Sequence, residues 1–252
     1  MNLLFNAFLC YSRLPAPRGV RCTPESMSQS IMFFPLVGLI VGGVGLGVYM
    51  LATTLLPHNI AIIISMVAMM LTTGAFHEDG FADFCDGFGG GYDKASILRI
   101  MKDSHIGTYG VLGLIMVLIA RYTLLCEIPM QRLLWVLIVA QGASRVAPVV
   151  MVRTSQYARS EPSKSSYSKC GVTMVGVVVA MLFGLLPLAL LGWQFALIYI
   201  GVMSLVFLLF RGYIYRHIEG YTGDTLGALQ VIGELMFYAL FVGCQHFVML
   251  YV

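Results

Sequence analysis

Long apolar runs alternate with short polar connections along nearly the whole chain, a pattern that predicts helices crossing a bilayer. A crossing takes about 20 apolar residues, with a working range of about 17–25. Seven stretches meet or approach that length: residues 31–56, 60–76, 109–126, 133–152, 172–192, 193–210 and 229–252. The fifth and sixth are divided only by a corner at Gly192 and Trp193. The expected fold class is all-α, a polytopic integral membrane helical bundle of about seven transmembrane helices, with residues 1–252 forming one domain. A short apolar stretch at residues 3–10 lacks the length to span, a basic leader and a small-residue cleavage site. It reads as an interfacial or re-entrant segment.

Composition strengthens this picture. The 252 residues are 59% hydrophobic and only 11% charged, against about 25% charged in soluble domains. Six scattered cysteines without a CxxC pair argue against a zinc site or a disulfide framework. No soluble domain, internal repeat or low-complexity tract interrupts the chain. Charge then gives direction. Arg13, Arg18, Arg21, Lys94, Arg99, Lys102, Arg153, Arg159, Lys164, Lys169, Arg211 and Arg216 fall on one side of the seven spans. Arg132 is alone in the opposite loops, and Arg121 and Arg145 lie within spans. The positive-inside rule makes the rich side, and the N-terminus with it, cytoplasmic.

One region departs from the apolar pattern. Residues 77–91 read HEDGFADFCDGFGGG and residues 101–110 read MKDSHIGTYG. Glu78, Asp79, Asp83, Asp86, Asp93 and Asp103 are six of the chain's twelve acids. Carboxylates beside a bilayer are costly, so such a cluster holds a cation or does chemistry. Asp79, Asp83 and Asp86, spaced i, i+4, i+7, fall on one helical stripe. Oxygen-only ligands favour a hard ion, Mg²⁺ or Mn²⁺. His77 and Glu78 stand beside them as proton-transfer or supporting groups. Gly80, Gly87, Gly89, Gly90 and Gly91 bring backbone close to a ligand, with N–H groups suited to phosphate oxygens, and also end the helix. Arg99, Lys102 and His105 supply positive charge. Together these suggest phosphoryl or nucleotidyl transfer. Asp93 reads as a solvated loop acid, and Phe81, Phe84, Phe88 and Tyr92 as core packing, with contact to a bulky substrate as the alternative use.

Residues 219–228 form a second polar island on the same side. Asp224 there can complete a metal shell or bind a ribose hydroxyl, and Asp224 or Thr225 can open the last helix as its N-cap; both readings can hold at once. Glu234 and Arg145 lie within spans. Arg145 can snorkel, pair with Glu234 or clamp a phosphate, whereas Arg121, nearer the opposite end, is expected to snorkel outward. Gly38/Gly42 and Gly43/Gly47 in the first span have the spacing of close helix packing.

Four segments then carry a resemblance: Arg13-Leu14-Pro15, residues 77–91, residues 101–110, and TGDTLGA at 222–228. In that order, and across nearly the whole chain, the sequence resembles the cobalamin synthase family of adenosylcobinamide-GDP ribazoletransferases. His105 departs from the arginine more usual in that family. A remote likeness to CDP-alcohol phosphotransferases rests on Asp83-Phe84-Cys85-Asp86-Gly87 and on the Asp79/Asp83 spacing, without the Ala-Arg of that motif.

The resemblance implies a reaction. The 3′-hydroxyl of α-ribazole, or of its 5′-phosphate, attacks the cobinamide-linked phosphorus of adenosylcobinamide-GDP, and GMP leaves. It also implies Mg²⁺ as cofactor, held by Asp79, Asp83 and Asp86. Glu78, His77 or Asp103 would take the proton, while Lys102, His105 and Arg13 would neutralise phosphate charge. Gly89, Gly90, Arg145 and Asp224 complete the expected substrate contacts. The enzyme would sit in the cell inner membrane with its site facing the cytoplasm. Its partners would be the two substrates and the bilayer, with no nucleic acid, and a homo-oligomer stays open. Two alternatives remain from the residues alone: a CDP-alcohol phosphotransferase-like lipid enzyme and a divalent cation transporter.

Overall fold

The computed structural model describes residues 2–15, 17, 20, 23–159 and 171–251, with side chains to residue 246. Arg18, Arg21, Lys164 and Lys169 of the charge pattern lie outside the described residues. The chain enters through α1 (Asn2–Tyr11), which packs on α2 (Pro24–Ser30) and buries Asn6 against the Ser26 hydroxyl at 2.8 Å. α2 starts on a capping box at Thr23, whose hydroxyl accepts from the Ser26 N–H, and runs through a 3₁₀ turn into α3 (Phe34–Ala52).

α3 packs against α4 (His58–Thr73) and α8 (Met130–Ala143). Gly38 and Gly42 let it approach the α8 backbone at Gln141 and Leu137, and Gly45 receives Met69 and Ser65 of α4. Gly43 and Gly47 face open space, so only the first glycine pair serves packing. Ser65 donates to the Gly45 carbonyl at 2.7 Å, fixing the α3–α4 hairpin.

α4 then stops. Gly74 (φ 70°) and Ala75 (φ 57°) are both left-handed, and the chain turns by 87° into α5 (Phe76–Gly90). α6 (Lys94–Ile100) follows on an Asp93 N-cap, and α7 (Thr108–Cys126) returns across the bundle. α8 continues through a one-residue-pair break into α9 (Val146–Thr154). α10 (Met174–Leu185) ends in a 3₁₀ segment, and Gly192 (φ 105°) makes the expected corner into α11 (Trp193–Ile218). α12 (Gly223–Tyr251) closes the chain.

Among the described residues, six helical runs are long and apolar enough to cross a membrane: Pro24–Ala52, Thr108–Cys126, Met130–Thr154, Met174–Leu191, Trp193–Ile218 and Gly223–His246. Counting the bent α4–α5 pair gives a seventh. No strand occurs among the described residues. The fold is a polytopic helical membrane bundle, as the apolar pattern predicts. Its main core lies between α3, α4, α8 and α12, around Tyr49, Leu137 and Phe237. A second core, around Ile97, Ile214 and Leu229, seats α6 and α11 beneath α5. The spans alternate in direction, which brings the N-terminal segment, α5, α6, and residues 101–107, 155–159 and 219–224 to one end.

Candidate active site

α5 positions the acidic run. Its neighbour α12 approaches so closely that a Cβ at Gly80 would press on the Asp224 backbone, and one at Gly227 would press on His77 and Gly80. α12 begins on a reciprocal cap: the Thr225 N–H donates to the Thr222 hydroxyl, and the Thr222 N–H donates to the Thr225 hydroxyl. Thr222 is thus the cap, and Asp224 sits free of that duty in the first turn. Its carboxylate receives Arg159 Nη2 at 2.9 Å and the Thr222 hydroxyl at 3.3 Å.

Asp79 is exposed and Asp83 half-buried on the α5 face that meets this turn. The like charges of Asp224, Asp79 and Asp86 all act on Asp83, and Arg159 opposes them. Asp86 belongs elsewhere. Its two oxygens accept the Gly107 N–H at 2.7 Å and the Gly110 N–H at 2.8 Å. These are orphan donors of the first turn of α7, so Asp86 anchors that helix end, where negative charge is favourable. The three-aspartate stripe of the sequence therefore divides, and Asp224 joins Asp79 and Asp83 in place of Asp86. No set of three or more His, Cys, Asp or Glu side chains converges as a metal cage among the described residues.

The neighbours of the stripe point inward. Glu78 is buried and bonded to Arg121 Nη1 at 3.0 Å. Arg121 Nη2 reaches Glu234 at 3.3 Å, and Glu234 also accepts from Gln230 and Tyr238. Arg121 is 3% exposed, which overturns its expected outward snorkelling: two carboxylates in the interior hold the guanidinium there. Arg145 is 1% exposed, donates to the carbonyl and side-chain oxygens of Gln141, and lies over the Phe34 ring at 5.3 Å. It neither snorkels nor bonds Glu234 directly. His77 is buried and stacks on Phe34 at 5.5 Å. These groups line a cavity of about 10 Å³, about one water molecule in size.

The glycines correct another expectation. Gly87, Gly89 and Gly90 lie within α5, so their N–H groups belong to the helix and not to a phosphate loop. Gly89 receives the Tyr109 ring and Gly87 receives Met101, which lets α6 and α7 press on α5. Phe84 and Phe88 pack with Phe210 and Tyr213 as expected, but Tyr92 is 99% exposed, because it lies past the helix end. Asp93 is the α6 cap: its side chain accepts the Ser96 N–H, which holds its carboxyl below the usual range.

The remaining candidates lie at the same end. The Arg13 N–H bonds the Thr72 carbonyl at 2.7 Å, and its side chain lies against Gly74 at the corner. Lys102 is exposed. His105 bonds Asp103 at 2.7 Å on the exposed surface, and this holds the Asp103 carboxyl below its ordinary range. Lys94 pairs with Glu219 at 2.7 Å, tying α6 to the end of α11. Arg159 is the residue that sequence reasoning passed over, counting it only in the loop charge. The Tyr157–Tyr221 bridge brings its segment beside Asp224, a pairing with no local sequence signature. Arg121 did carry a signal: a charge within a span needs a partner, and Glu78 and Glu234 were the acids at hand.

The fold is a multi-pass helical membrane bundle that carries an acidic edge at one end. The chain belongs to the family described as cobalamin-5-phosphate synthase, which it matches over residues 3–242. It is 40% identical over 257 residues to an adenosylcobinamide-GDP ribazoletransferase of Vibrio cholerae, covering 99% of this chain and 97% of that protein. A protein of the same description from Shewanella frigidimarina is 38% identical over 242 residues, covering 94% and 93%. Another from Shewanella oneidensis is 37% identical over 251 residues. No solved structure matches the chain. Family membership does not favour the lipid-enzyme and transporter alternatives.

Proposed function

We propose that this chain transfers the adenosylcobinamide-phosphate group of adenosylcobinamide-GDP to the 3′-hydroxyl of α-ribazole or α-ribazole 5′-phosphate, releasing GMP. The observation that carries the reading is the α5 face bearing Asp79 and Asp83 against Asp224, in a chain matching this family along its length. The relatives' names supply the two substrates.

The donor set suits Mg²⁺. That ion commonly binds through one or two carboxylates plus substrate phosphates, without an all-protein cage. Asp79 and Asp83 would hold it, with Asp224 beside them, whereas Asp86 is committed to α7. When bound, Mg²⁺ would neutralise phosphate charge as the phosphorus–oxygen bond to GMP breaks. Arg159, Lys102, His105 and Arg13 line the same end and would orient the diphosphate. Of the three candidate bases, His77 and Glu78 are buried and Asp103 is exposed beside His105. Asp103 is therefore our choice to accept the proton from the attacking hydroxyl. The excess of basic residues at this end supports placing it on the cytoplasmic side, and the membrane would be the cell inner membrane.

The test is direct. Purified chain in nanodiscs with Mg²⁺, adenosylcobinamide-GDP and either ribazole should release GMP and form the corrinoid product. Chelation should stop release and added Mg²⁺ restore it. CDP-diacylglycerol turnover in place of GMP release would overturn the reading.

A further inference from the structure

A cavity of about 450 Å³ opens beside the acidic edge, between α1, α2, the start of α5 and the start of α12. Small-molecule sites run to about 300–1,000 Å³ and are mostly apolar. Tyr11, Phe76, Tyr157 and Tyr221 give it aromatic walls, and Ile31 and Leu226 add aliphatic ones. Its place is set by two connections to the acids. Phe76 is three and seven residues before Asp79 and Asp83, so it lies on their helical stripe. Gly223, also in the wall, immediately precedes Asp224. The cavity therefore shares α5 and the first turn of α12 with the carboxylates.

From this we infer that the cavity seats the aromatic base of the ribazole acceptor, with its ribose directed to the acidic edge. The inference rests on the proposed function for the identity of that acceptor. A flat heteroaromatic ring could come from either substrate, as benzimidazole or as guanine. The lining decides between them. Among the described residues its polar side chains are the hydroxyls of Tyr11, Ser28, Tyr157 and Tyr221 and the Cys10 thiol, with no carboxylate or amide to pair with the N–H edge of guanine. Guanine presents two N–H donor groups and a carbonyl, and burying them unmatched is unfavourable. A ribosylated dimethylbenzimidazole has no N–H donor and carries two methyl groups, so apolar and aromatic walls match it.

Binding separates the outcomes without relying on turnover. Equilibrium dialysis of the full chain in nanodiscs would measure α-ribazole and adenosylcobinamide-GDP separately. Two variants probe the wall: Phe76→Ala at a position 48% exposed, and Val152→Trp, a larger side chain at another lining residue that fills the cavity. Each should weaken α-ribazole by about tenfold while leaving adenosylcobinamide-GDP within about twofold. Size-exclusion profiles matching the parent keep the comparison fair. Weakening of adenosylcobinamide-GDP instead would assign the cavity to guanine and overturn the inference. Unchanged affinity for both would overturn it as well. A parent chain that binds α-ribazole at this wall yet releases no GMP would sink the proposed reaction and leave the binding site standing.

Discussion

The two sides of α5 handle charge in opposite ways. On the inner side, Glu78 meets Arg121, which also meets Glu234, and Gln230 and Tyr238 fill the remaining bonds of Glu234. On the outer side, Asp79 and Asp83 face Asp224, with Arg159 the cation that opposes them. A buried charge persists only when paired and hydrogen-bonded. The inner set meets that condition with the protein's own groups and serves to lock α5 to α7 and α12. The outer set leaves negative charge in excess, which a cation or a bound substrate must offset. The same helix is thus a fastening on one side and a reactive surface on the other.

Removing charge from each side tests that division. Asp83→Asn should lower GMP release by about 10²–10³-fold, with the size-exclusion profile and thermal unfolding of the parent. Near-normal release would break the comparison at its outer side. On the inner side, Arg121→Met leaves Glu78 and Glu234 buried without their cation, a loss of about 3–5 kcal/mol that thermal unfolding would report. The combination of Arg121→Met with Glu78→Gln and Glu234→Gln should regain much of that stability. Failure to regain it would mean Arg121 does more than neutralise. Thr222→Ala removes the α12 cap and should cost about 1 kcal/mol, with a rise in the α-ribazole KM if Asp224 shifts with the helix end. The smallest effect belongs to the corner. Ala75→Gly relieves a left-handed alanine, offset in part by glycine's larger unfolded-state entropy, for a net gain of about 0.5 kcal/mol.

Much of the fold was legible because membrane helices announce themselves by length and apolarity. The alternation of spans, the Gly192 corner and the polar end with Asp224 all follow from the one-dimensional pattern. The site was legible in part. Helical spacing put Asp79 and Asp83 together correctly, but spacing cannot tell which carboxylate a distant backbone will claim. Gly107 and Gly110 claim Asp86 from 21 and 24 residues away. The glycines around it looked like phosphate contacts because a bare backbone and a close helix contact demand the same residue. Arg121 was misjudged by depth alone, without balancing the acids around it. Tyr92 was misjudged because the helix that would have turned it inward stops at Gly90.

The corner at Gly74 and Ala75 also bears on how the chain enters its membrane. From Phe34 to Thr73 the α3–α4 hairpin carries no Asp, Glu, Lys or Arg. A carboxylate at the bilayer centre is disfavoured by about 2.5–3.5 kcal/mol on insertion scales. By turning 87° before Glu78, the chain lets this hairpin partition into lipid without moving a single permanent charge across. The carboxylates of α5 come after the turn, outside the uncharged hairpin. The same two left-handed residues thus separate the stretch suited to lipid from the helix that carries the acids.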